Sequence, residues 1–241
     1  MQRAIEVFAL GFCFTRSFTH PYLPERVGGV WVVRDGPRKR GDRREEWVPY
    51  GLAPKDAVRI VHKKRPGHHC ICAVNDADED DQTLRAEYEA LDYRLGGTKA
   101  FMAHELRRIP RSAAPGKIVR VLEEDLAESI NKAARSRQIL PEHLALDAPL
   151  RLCAGLIDDV PVGSVSSIDV GGMTWCAIMY VKANFRRFGI AKALMCKMLR
   201  DDRQYGSQLA VLTVSHVGAM LCPIVGYSTR GTLLGYTPRK K

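Results

Sequence analysis

The sequence lacks the features that mark several large classes of protein. Its 241 residues contain no run of about 18 apolar residues, the length that a membrane-spanning helix needs. Its first apolar stretch, AIEVFALGFCF, is interrupted by Glu6 and leads to no small-residue cleavage site, so we expect no secretory signal. There is no GxSxG elbow for a nucleophilic serine. We therefore expect a cytoplasmic protein that does not bind membranes.

The cysteines follow no disulfide or metal pattern. Seven are present, an odd number, and none forms a CxxC pair, which predicts buried thiols in a reducing compartment. In HHCIC, residues 68–72, alternation along a strand puts two cysteines and one histidine on one face, but no second ligand pair follows. The acidic run DADEDD, residues 76–81, lacks the glycine of an EF-hand calcium loop. We predict no metal site.

Negative charge is the scarcer sign. Asp and Glu number 27 against 37 Lys and Arg, a net charge of +10, which favours an anionic ligand, an acidic substrate or nucleic acid. The basic run RKRGDRR, residues 38–44, is the place where nucleic acid would bind, but no aromatic stacking pattern accompanies it. We interpret it as a solvated turn and do not expect a nucleic-acid partner.

Two domains are predicted, residues 1–112 and residues 117–241, because RRIPRSAAPGK at 107–117 has the composition of a linker. After it, KIVRV reads as a strand and EEDLAESINKAARSRQI as a helix. Three strand-like runs then form an antiparallel meander that ends in MTWCAIMYV. A helix beginning near Gly189 and the buried run LAVLTV complete a βαβ unit, whose loop lies at the carboxyl ends of the strands, a ligand position.

The start of that helix, in NFRRFGIAKALMCKML, has the composition of an anion site. The backbone amides of residues 187–192 are the unpaired donors of the first turn, and the helix dipole favours negative charge there. Gly189 and Ala191 leave these amides uncovered, and Arg186 and Arg187 add positive charge. The loop therefore predicts a phosphate-binding site.

Arg-x-x-Gly-x-Ala at 186–191, between an apolar strand and an amphipathic helix, resembles the pyrophosphate loop of the GNAT superfamily of acyl-CoA-dependent N-acyltransferases. The end of the chain, with Gly226-Tyr227 after a short helical run, is similar to the family's final helix and strand, so the resemblance covers about residues 117 to 241. It implies an α/β GNAT fold: a mixed, mostly antiparallel twisted sheet with flanking helices. It also implies acetyl-CoA as cosubstrate.

The resemblance assigns roles to particular residues. One amide in AIMYV, at Met179 or Tyr180, would be the oxyanion donor. Cys222 stands where the family often carries a tyrosine that protonates the leaving thiolate, and we interpret it first as a site-lining residue. Glu142 is a candidate base, with His143 and Asp169 as alternatives. The cofactor-binding residues implied are Met179, Tyr180, Val181, Arg186, Arg187, Phe188, Gly189, Ile190, Ala191, Lys192 and Ser215.

The first half of the chain contains a partial repeat of the same pattern. VWVVRDGPRKRGD aligns without a gap with IMYVKANFRRFGI, and EYEALDYRLGGT aligns with LCPIVGYSTRGT, which pairs Tyr93 with Tyr227. Asp42 and Arg43 stand where the second half has Ile190 and Ala191, so their side chains would crowd a pyrophosphate. We predict a tandem arrangement in which a smaller, degenerate GNAT-like lobe precedes the catalytic one.

The sequence thus favours an N-acetyltransferase that moves an acetyl group from acetyl-CoA to a small-molecule or peptide amine by direct attack. Two alternatives stay open: a catalytically weak CoA-binding sensor or interaction module, and a basic nucleic-acid-binding protein. No motif indicates the acceptor or the oligomeric state.

Overall fold

The structure of the protein is a computed structural model that describes residues 1–17, 22–36 and 44–239. The strands, in chain order, are β1 (Leu23–Val27), β2 (Val30–Arg34), β3 (Arg44–Val48), β4 (His68–Asp76), β5 (Tyr93–His104), β6 (Lys117–Arg120), β7 (Leu150–Ile157), β8 (Val160–Val170), β9 (Met173–Val181), β10 (Ala210–Val214) and β11 (Ser228–Pro238). The α-helices are α1 (Gln2–Arg16), α2 (Pro54–Lys64), α3 (Gln82–Ala90), α4 (Glu124–Ala134), α5 (Ile190–Gln204), α6 (His216–Ala219) and α7 (Cys222–Val225). Within the described ranges, no helix is both long and apolar enough to cross a membrane.

The chain forms two compact units. The first unit consists of Met1–Met102, Thr213–Ala219 and Thr229–Lys241. Its strands follow the order β1-β2-β3-β4-β11-β5. Strands β3 and β4 are parallel and are joined by α2, whereas β1, β2 and β3 pair antiparallel. Its core is rich in large buried aromatic and aliphatic side chains, among them Trp47, Ile71, Tyr88, Tyr93 and Tyr236.

The end of the chain packs in the first unit. Strand β11 pairs antiparallel with β4, from Gly231 opposite Asp76 to Tyr236 opposite Ile71. The ring of Tyr236 stacks on Tyr88 with 4.2 Å between centroids. Residues 213–219 and 229–239, which the sequence assigned to the second domain, belong to the first unit.

The second unit consists of Ala103–Leu212 and Met220–Ser228. Its strands follow the order β10-β9-β8-β7-β6, in which only β9 and β10 pair in parallel. Helix α5 is the crossover between these two strands. All the elements predicted for this half of the sequence are present: the strand at 117, the helix after it, the three-stranded meander and the βαβ unit. The prediction for this half is confirmed.

Helix α5 is held against the sheet by the apolar stripe that the sequence predicts. Ile190, Leu194 and Met198 recur every four residues and are each at most 2% exposed. Such spacing places the three side chains on one helix face. Burying that face fixes the helix axis, and with it the position of the loop that precedes the helix.

The other end of α5 is fixed by a buried charged cluster. Asp202, which is fully buried, accepts from Arg151 Nε at 2.9 Å and from Ser167 Oγ at 2.6 Å. Burial raises the pKa of the Asp202 carboxyl, while the Arg151 guanidinium and the Ser167 hydroxyl act to lower it. The Arg151 guanidinium also lies over the Tyr205 ring, 5.1 Å from its centroid. The carboxylate is thus retained in the core only because its partners compensate part of its lost hydration.

The structure supports the repeat predicted for the first half only in a different register. Residues 37–42 of the first alignment lie outside the described residues, but the sequence continues into β3, a strand, where the second half has a helix. That alignment is therefore wrong by one strand: β3–α2–β4 is the arrangement that matches β9–α5–β10. In the second alignment, Tyr93 and Tyr227 are both buried and each follows a residue with positive φ, Asp92 and Gly226.

Removing the Asp202 carboxylate should destabilise the protein strongly. Asp202→Ala leaves the Arg151 guanidinium buried without its main partner, and we expect a loss of about 3–5 kcal/mol in the free energy of unfolding, measured in urea. Asp147→Ala, in an exposed loop, is the control and should stay within about 0.5 kcal/mol of the parent. The double variant Arg151→Met/Asp202→Leu should recover much of the loss. Equal stabilities of Asp202→Ala and the control would refute this account.

Candidate functional site

Strand β9 contains a bulge within AIMYV. In the ladder with β8, Val165 lies opposite Met179 and Ser166 lies opposite Ala177, so Ile178 has no partner. Ile178 has a φ of +26°, which a β-branched residue rarely adopts, and its side chain is exposed. One extra residue on one strand is a β-bulge, and it bends the strand and re-aims the groups that follow.

The register after the bulge decides which amides face away from β8. The Lys182 amide donates to Val162 O at 2.8 Å. In an antiparallel ladder, residues alternate between those that exchange backbone hydrogen bonds with the facing strand and those that do not. Tyr180, two residues before Lys182, therefore also directs its amide toward β8. The amides of Met179 and Val181 consequently point to the other side of β9. Of the two residues predicted as oxyanion donor, only Met179 has its amide directed away from the ladder.

The neighbouring strand on that side pairs only with the first part of β9. Strand β10 is in register with β9 at Thr174–Ala210 and Trp175–Val211, and the Thr174 amide donates to Leu209 O at 2.8 Å. In the described part of the chain, the ladder ends there. Residues 176–181 therefore have no strand partner on that side, although Ala177 O and Val181 O accept hydrogen bonds from side chains. An extended amide-containing ligand can add itself there as a strand.

The loop between β9 and α5 exposes the first-turn amides of the helix. Gly189 is the N-cap with a φ of +81°, and the first bond within the helix runs from the Ala193 amide to Gly189 O at 3.0 Å. The amides of residues 189–192 precede that bond and have no acceptor within the helix. A Cβ at Gly189 would lie 3.6 Å from Ala113 O, which is an ordinary van der Waals contact, so steric exclusion does not require glycine here. The positive φ is the reason that glycine is favoured.

A cavity of about 210 Å³ lies in front of these amides. Its lining joins the end of β9, the loop and the start of α5, and its members are Val181, Phe185, Arg186, Arg187, Gly189, Ile190, Ala191, Lys192 and Leu221. Arg186 is held at the mouth by a hydrogen bond from its Nε to Val181 O, 3.2 Å long. Three cationic side chains and the helix N-terminus therefore converge on one cavity, an arrangement that suits a phosphate or pyrophosphate group.

The structure separates the predicted cofactor residues into groups. Val181, Arg186, Arg187, Gly189, Ile190, Ala191 and Lys192 line the cavity; Met179, Tyr180 and Phe188 do not. Ser215 lies after β10 in the first unit, with an exposed side chain. Sequence reasoning missed Phe185 and Leu221. Phe185 stands inside the quoted loop motif, but Leu221 is distant in sequence and no local signal marks it.

Cys222 is a weak acid in this structure. It begins α7, is 2% exposed, and burial raises the pKa of its thiol to about 11. The thiol of a leaving coenzyme has a pKa near that of free cysteine, about 8.5. Proton transfer from Cys222 to such a thiolate would run uphill. Although its neighbour Leu221 lines the cavity, Cys222 itself does not. Pro223 follows it, and α7 spans only four residues, as the proline suggested.

The three candidate bases have different environments. Glu142 is exposed on a 3-10 turn, Pro141–His143. His143 accepts the Leu140 amide through Nδ1 at 3.3 Å, and burial lowers the pKa of its ring. Asp169 lies 3.7 Å from Arg151 and so belongs to the buried charged cluster at the other end of α5. Glu142 and His143 stay predictions as acid–base groups. Across the residues that the structure describes, no group of three or more His, Cys, Asp or Glu could hold a metal ion.

Comparison with known proteins identifies the fold. Residues 118–219 match the model of the acetyltransferase (GNAT) family. No curated protein matches the chain significantly in sequence. Among solved structures, a GCN5-related N-acetyltransferase from Kribbella flavida is similar over 97% of this chain and 95% of its own, with a TM-score of 0.67 and 14% identity.

Two further structures are similar. A GCN5-related N-acetyltransferase from Sphaerobacter thermophilus has a TM-score of 0.58 and 17% identity, covering 86% of this chain and 76% of its own. A tandem GNAT protein from the clavulanic acid biosynthesis pathway has a TM-score of 0.59 and 12% identity, covering 90% and 82%. At such identities these likenesses show the fold alone, and they confirm the predicted GNAT fold class.

One hydrogen bond ties the opened strand to the helix beside it. The Tyr180 hydroxyl donates to Ala133 O in α4 at 2.9 Å. Tyr180→Phe removes the donor and should lower the free energy of unfolding by about 1 kcal/mol, measured in urea. Tyr205→Phe is the matched control, since the Tyr205 hydroxyl has no hydrogen-bond partner among the described residues. Equal losses in the two variants would contradict a role for the Tyr180 bond.

Proposed function

We propose that this chain, whose residues 118–219 form a GNAT-family acetyltransferase domain, transfers an acetyl group from acetyl-CoA to an amine. A transferase of this family generally uses acetyl-CoA. The observation that carries the proposal is the combination, in one unit, of an opened strand with outward amides and a basic cavity at a helix N-terminus. The first feature suits the amide-rich arm of the coenzyme, and the second suits its pyrophosphate.

The residues present fit such a cosubstrate. The amides of residues 189–192 and the side chains of Arg186, Arg187 and Lys192 would hold the pyrophosphate. The Met179 carbonyl and the Val181 amide would pair with the pantetheine arm. The Met179 amide would then donate to the thioester oxygen as negative charge develops on it, a stabilisation that needs no reorganisation because the bulge already directs the amide.

The transfer itself needs no covalent enzyme intermediate. A neutral amine attacks the thioester carbon, the new N–C bond forms, and the C–S bond breaks with its electron pair going to sulfur. The nitrogen gives up one proton, and the thiolate gains one. Glu142 is the candidate to accept the amine proton. A thiolate leaves without help from an acid, so the buried Cys222 need not donate.

The alternatives have less support. A CoA-binding module without turnover would share the same cavity, and only turnover separates it from an enzyme. The nucleic-acid alternative depended on the basic run at 38–44, of which residues 38–43 lie outside the described residues. The tandem arrangement stays a proposal, supported by the matching β3–α2–β4 and β9–α5–β10 arrangements.

Blocking the cavity should abolish acetyl-CoA binding. At about 100 times its dissociation constant, acetyl-CoA should stabilise the parent by about 2.7 kcal/mol, seen as a rise in melting temperature. Gly189→Glu places a carboxylate over the first-turn amides, where it covers the donors and repels a phosphate, so the rise should disappear.

Gly206→Glu provides the matched control. Gly206 has a φ of +89°, close to that of Gly189, and a Cβ there meets nothing within 4 Å. Both variants bear the same side chain in the same strained backbone region, but only one lies at the cavity. An unchanged ligand-induced rise in Gly189→Glu, or no rise in the parent, would overturn the assignment of the cosubstrate site.

Cys222 should contribute little to turnover. We expect Cys222→Ala to keep kcat within about threefold of the parent, with an unchanged pH profile between about pH 6 and 9, because a thiol of pKa about 11 does not ionise there. Thiol release from acetyl-CoA with a panel of amines provides the measurement. Cys196→Ala, another fully buried cysteine, controls for the cavity left by the sulfur. A hundredfold loss confined to Cys222→Ala would identify it as the general acid instead.

A further inference from the structure

The basic cavity and the opening along β9 meet at Val181. This residue lines the cavity and is also the last residue of β9. Its amide and its carbonyl point away from β8, as those of Met179 do, because Tyr180 and Lys182 are the residues that direct theirs toward β8. An extended ligand that reaches from the cavity to the Met179 amide must therefore run past the backbone of Val181.

The Arg186 side chain lies on that path. Its Nε donates to Val181 O at 3.2 Å. The residues between the two form a 3-10 turn, Ala183–Phe185, and the Arg186 amide donates to Ala183 O at 3.2 Å, which returns the chain toward β9. One outward acceptor of the opened strand is thus paired with a side chain of the protein itself.

The Val181 carbonyl satisfies only a small part of what the guanidinium can bind. Among the described residues, the Arg186 side chain has no other hydrogen bond and no ion pair. A guanidinium has five N–H donors, and this contact uses one of them. A phosphate accepts two parallel N–H bonds and carries the opposite charge, so it binds a guanidinium more strongly than one neutral carbonyl does. Arg186 therefore gains by changing its partner only when a ligand brings a phosphate into the cavity.

We infer that Arg186 makes the site select thioester donors that carry a phosphate. Such a donor draws the guanidinium away from Val181 O, and the pantetheine arm then has this carbonyl as a further hydrogen-bond acceptor. A donor without phosphate has to displace the same contact and receives nothing in return, which lowers its affinity. Specificity of this kind combines attraction of one ligand with a penalty against another. The inference rests on the proposed function, because it takes acetyl-CoA as the donor.

Arg187 provides the matched comparison within the same cavity. It carries the same charge and also lines the cavity, but among the described residues its side chain makes no hydrogen bond to β9. Its φ is +69°, and Arg187→Ala retains a Cβ in that backbone conformation. Both arginines attract a phosphate, whereas only Arg186 opposes a ligand that lacks one.

Three probes separate the phosphate from the arm. Acetyl-CoA contains both, S-acetylpantetheine contains the arm and the thioester without phosphate, and adenosine 3′,5′-bisphosphate contains phosphate without the arm. Dissociation constants are measured by calorimetric titration of the parent and of each variant. The parent should bind acetyl-CoA more tightly than either fragment.

Arg186→Ala should change the affinities in opposite directions. We expect S-acetylpantetheine to bind at least about threefold more tightly, the scale of one exposed hydrogen bond, and the two phosphate-containing ligands to bind at least about threefold more weakly. Arg187→Ala should weaken the two phosphate-containing ligands and leave S-acetylpantetheine unchanged. Damage to the site would weaken all three ligands, so a gain for one of them is not a consequence of misfolding.

Arg186→Lys separates the charge from the contact. Lysine keeps the positive charge but has a methylene group where arginine has Nε. This variant should gain affinity for S-acetylpantetheine, as Arg186→Ala does, while it retains more of the affinity for adenosine 3′,5′-bisphosphate.

The outcomes distinguish this inference from the proposed function. If the parent binds acetyl-CoA but Arg186→Ala brings no gain for S-acetylpantetheine, including no measurable binding to either protein, the cosubstrate site stands and the selective role of Arg186 is rejected. An equal gain in Arg187→Ala would also reject it, because charge and not the contact with Val181 would then be the cause. No binding of acetyl-CoA to the parent would reject the proposed function and this inference with it.

Discussion

The candidate site depends on the short parallel ladder between β9 and β10. A ladder of two paired positions, followed by a bulge at Ile178, leaves the second half of β9 without a strand partner on one side. Buried or half-buried backbone groups require partners, and here water or a ligand must supply them. The opening in the sheet is thus a direct consequence of where the pairing stops, and the amide of Met179 points into it because the bulge changes the alternation.

Such an opening is useful only if the loop that follows it is held in place. Helix α5 is fixed at both ends of its buried face: by the stripe of Ile190, Leu194 and Met198, and by the pairing of Asp202 with Arg151. The buried pair has a hydration cost: burial raises the pKa of Asp202, and Arg151 and Ser167 act against that rise. The pair fixes the position of the C-terminal end of α5 against the sheet. Packing and this ion pair therefore place the first-turn amides at the end of β9.

Periodicity and turn chemistry predicted much of the second unit, because its helix and strands have strong amphipathic or apolar patterns. The anion-binding start of α5 was readable from Gly189 and its basic neighbours. The bulge could not be predicted, because every residue of AIMYV is compatible with a regular strand. In an apolar run, a shift of register by one residue does not change the hydrophobic pattern. For the same reason the sequence could not choose between the amides of Met179 and Tyr180. The packing of Tyr236 against Tyr88, which draws β11 into the first unit, is a long-range contact that no local pattern encodes.

In the first unit, the β3–α2–β4 arrangement corresponds to β9–α5–β10, but its two parallel strands stay paired. Strands β3 and β4 remain in register from Arg44 to Trp47, one residue before β3 ends, so no comparable opening forms. The following helix begins with Pro54, which has no amide hydrogen, and the Asp56 amide already donates to Ala53 O at 3.0 Å. The Asp56 carboxylate in that first turn would also repel an anion. The sequence predicted the degeneracy of this lobe from Asp42 and Arg43, which lie outside the described residues. The pairing of β3 with β4 and the proline at the start of α2 are two further reasons to expect it.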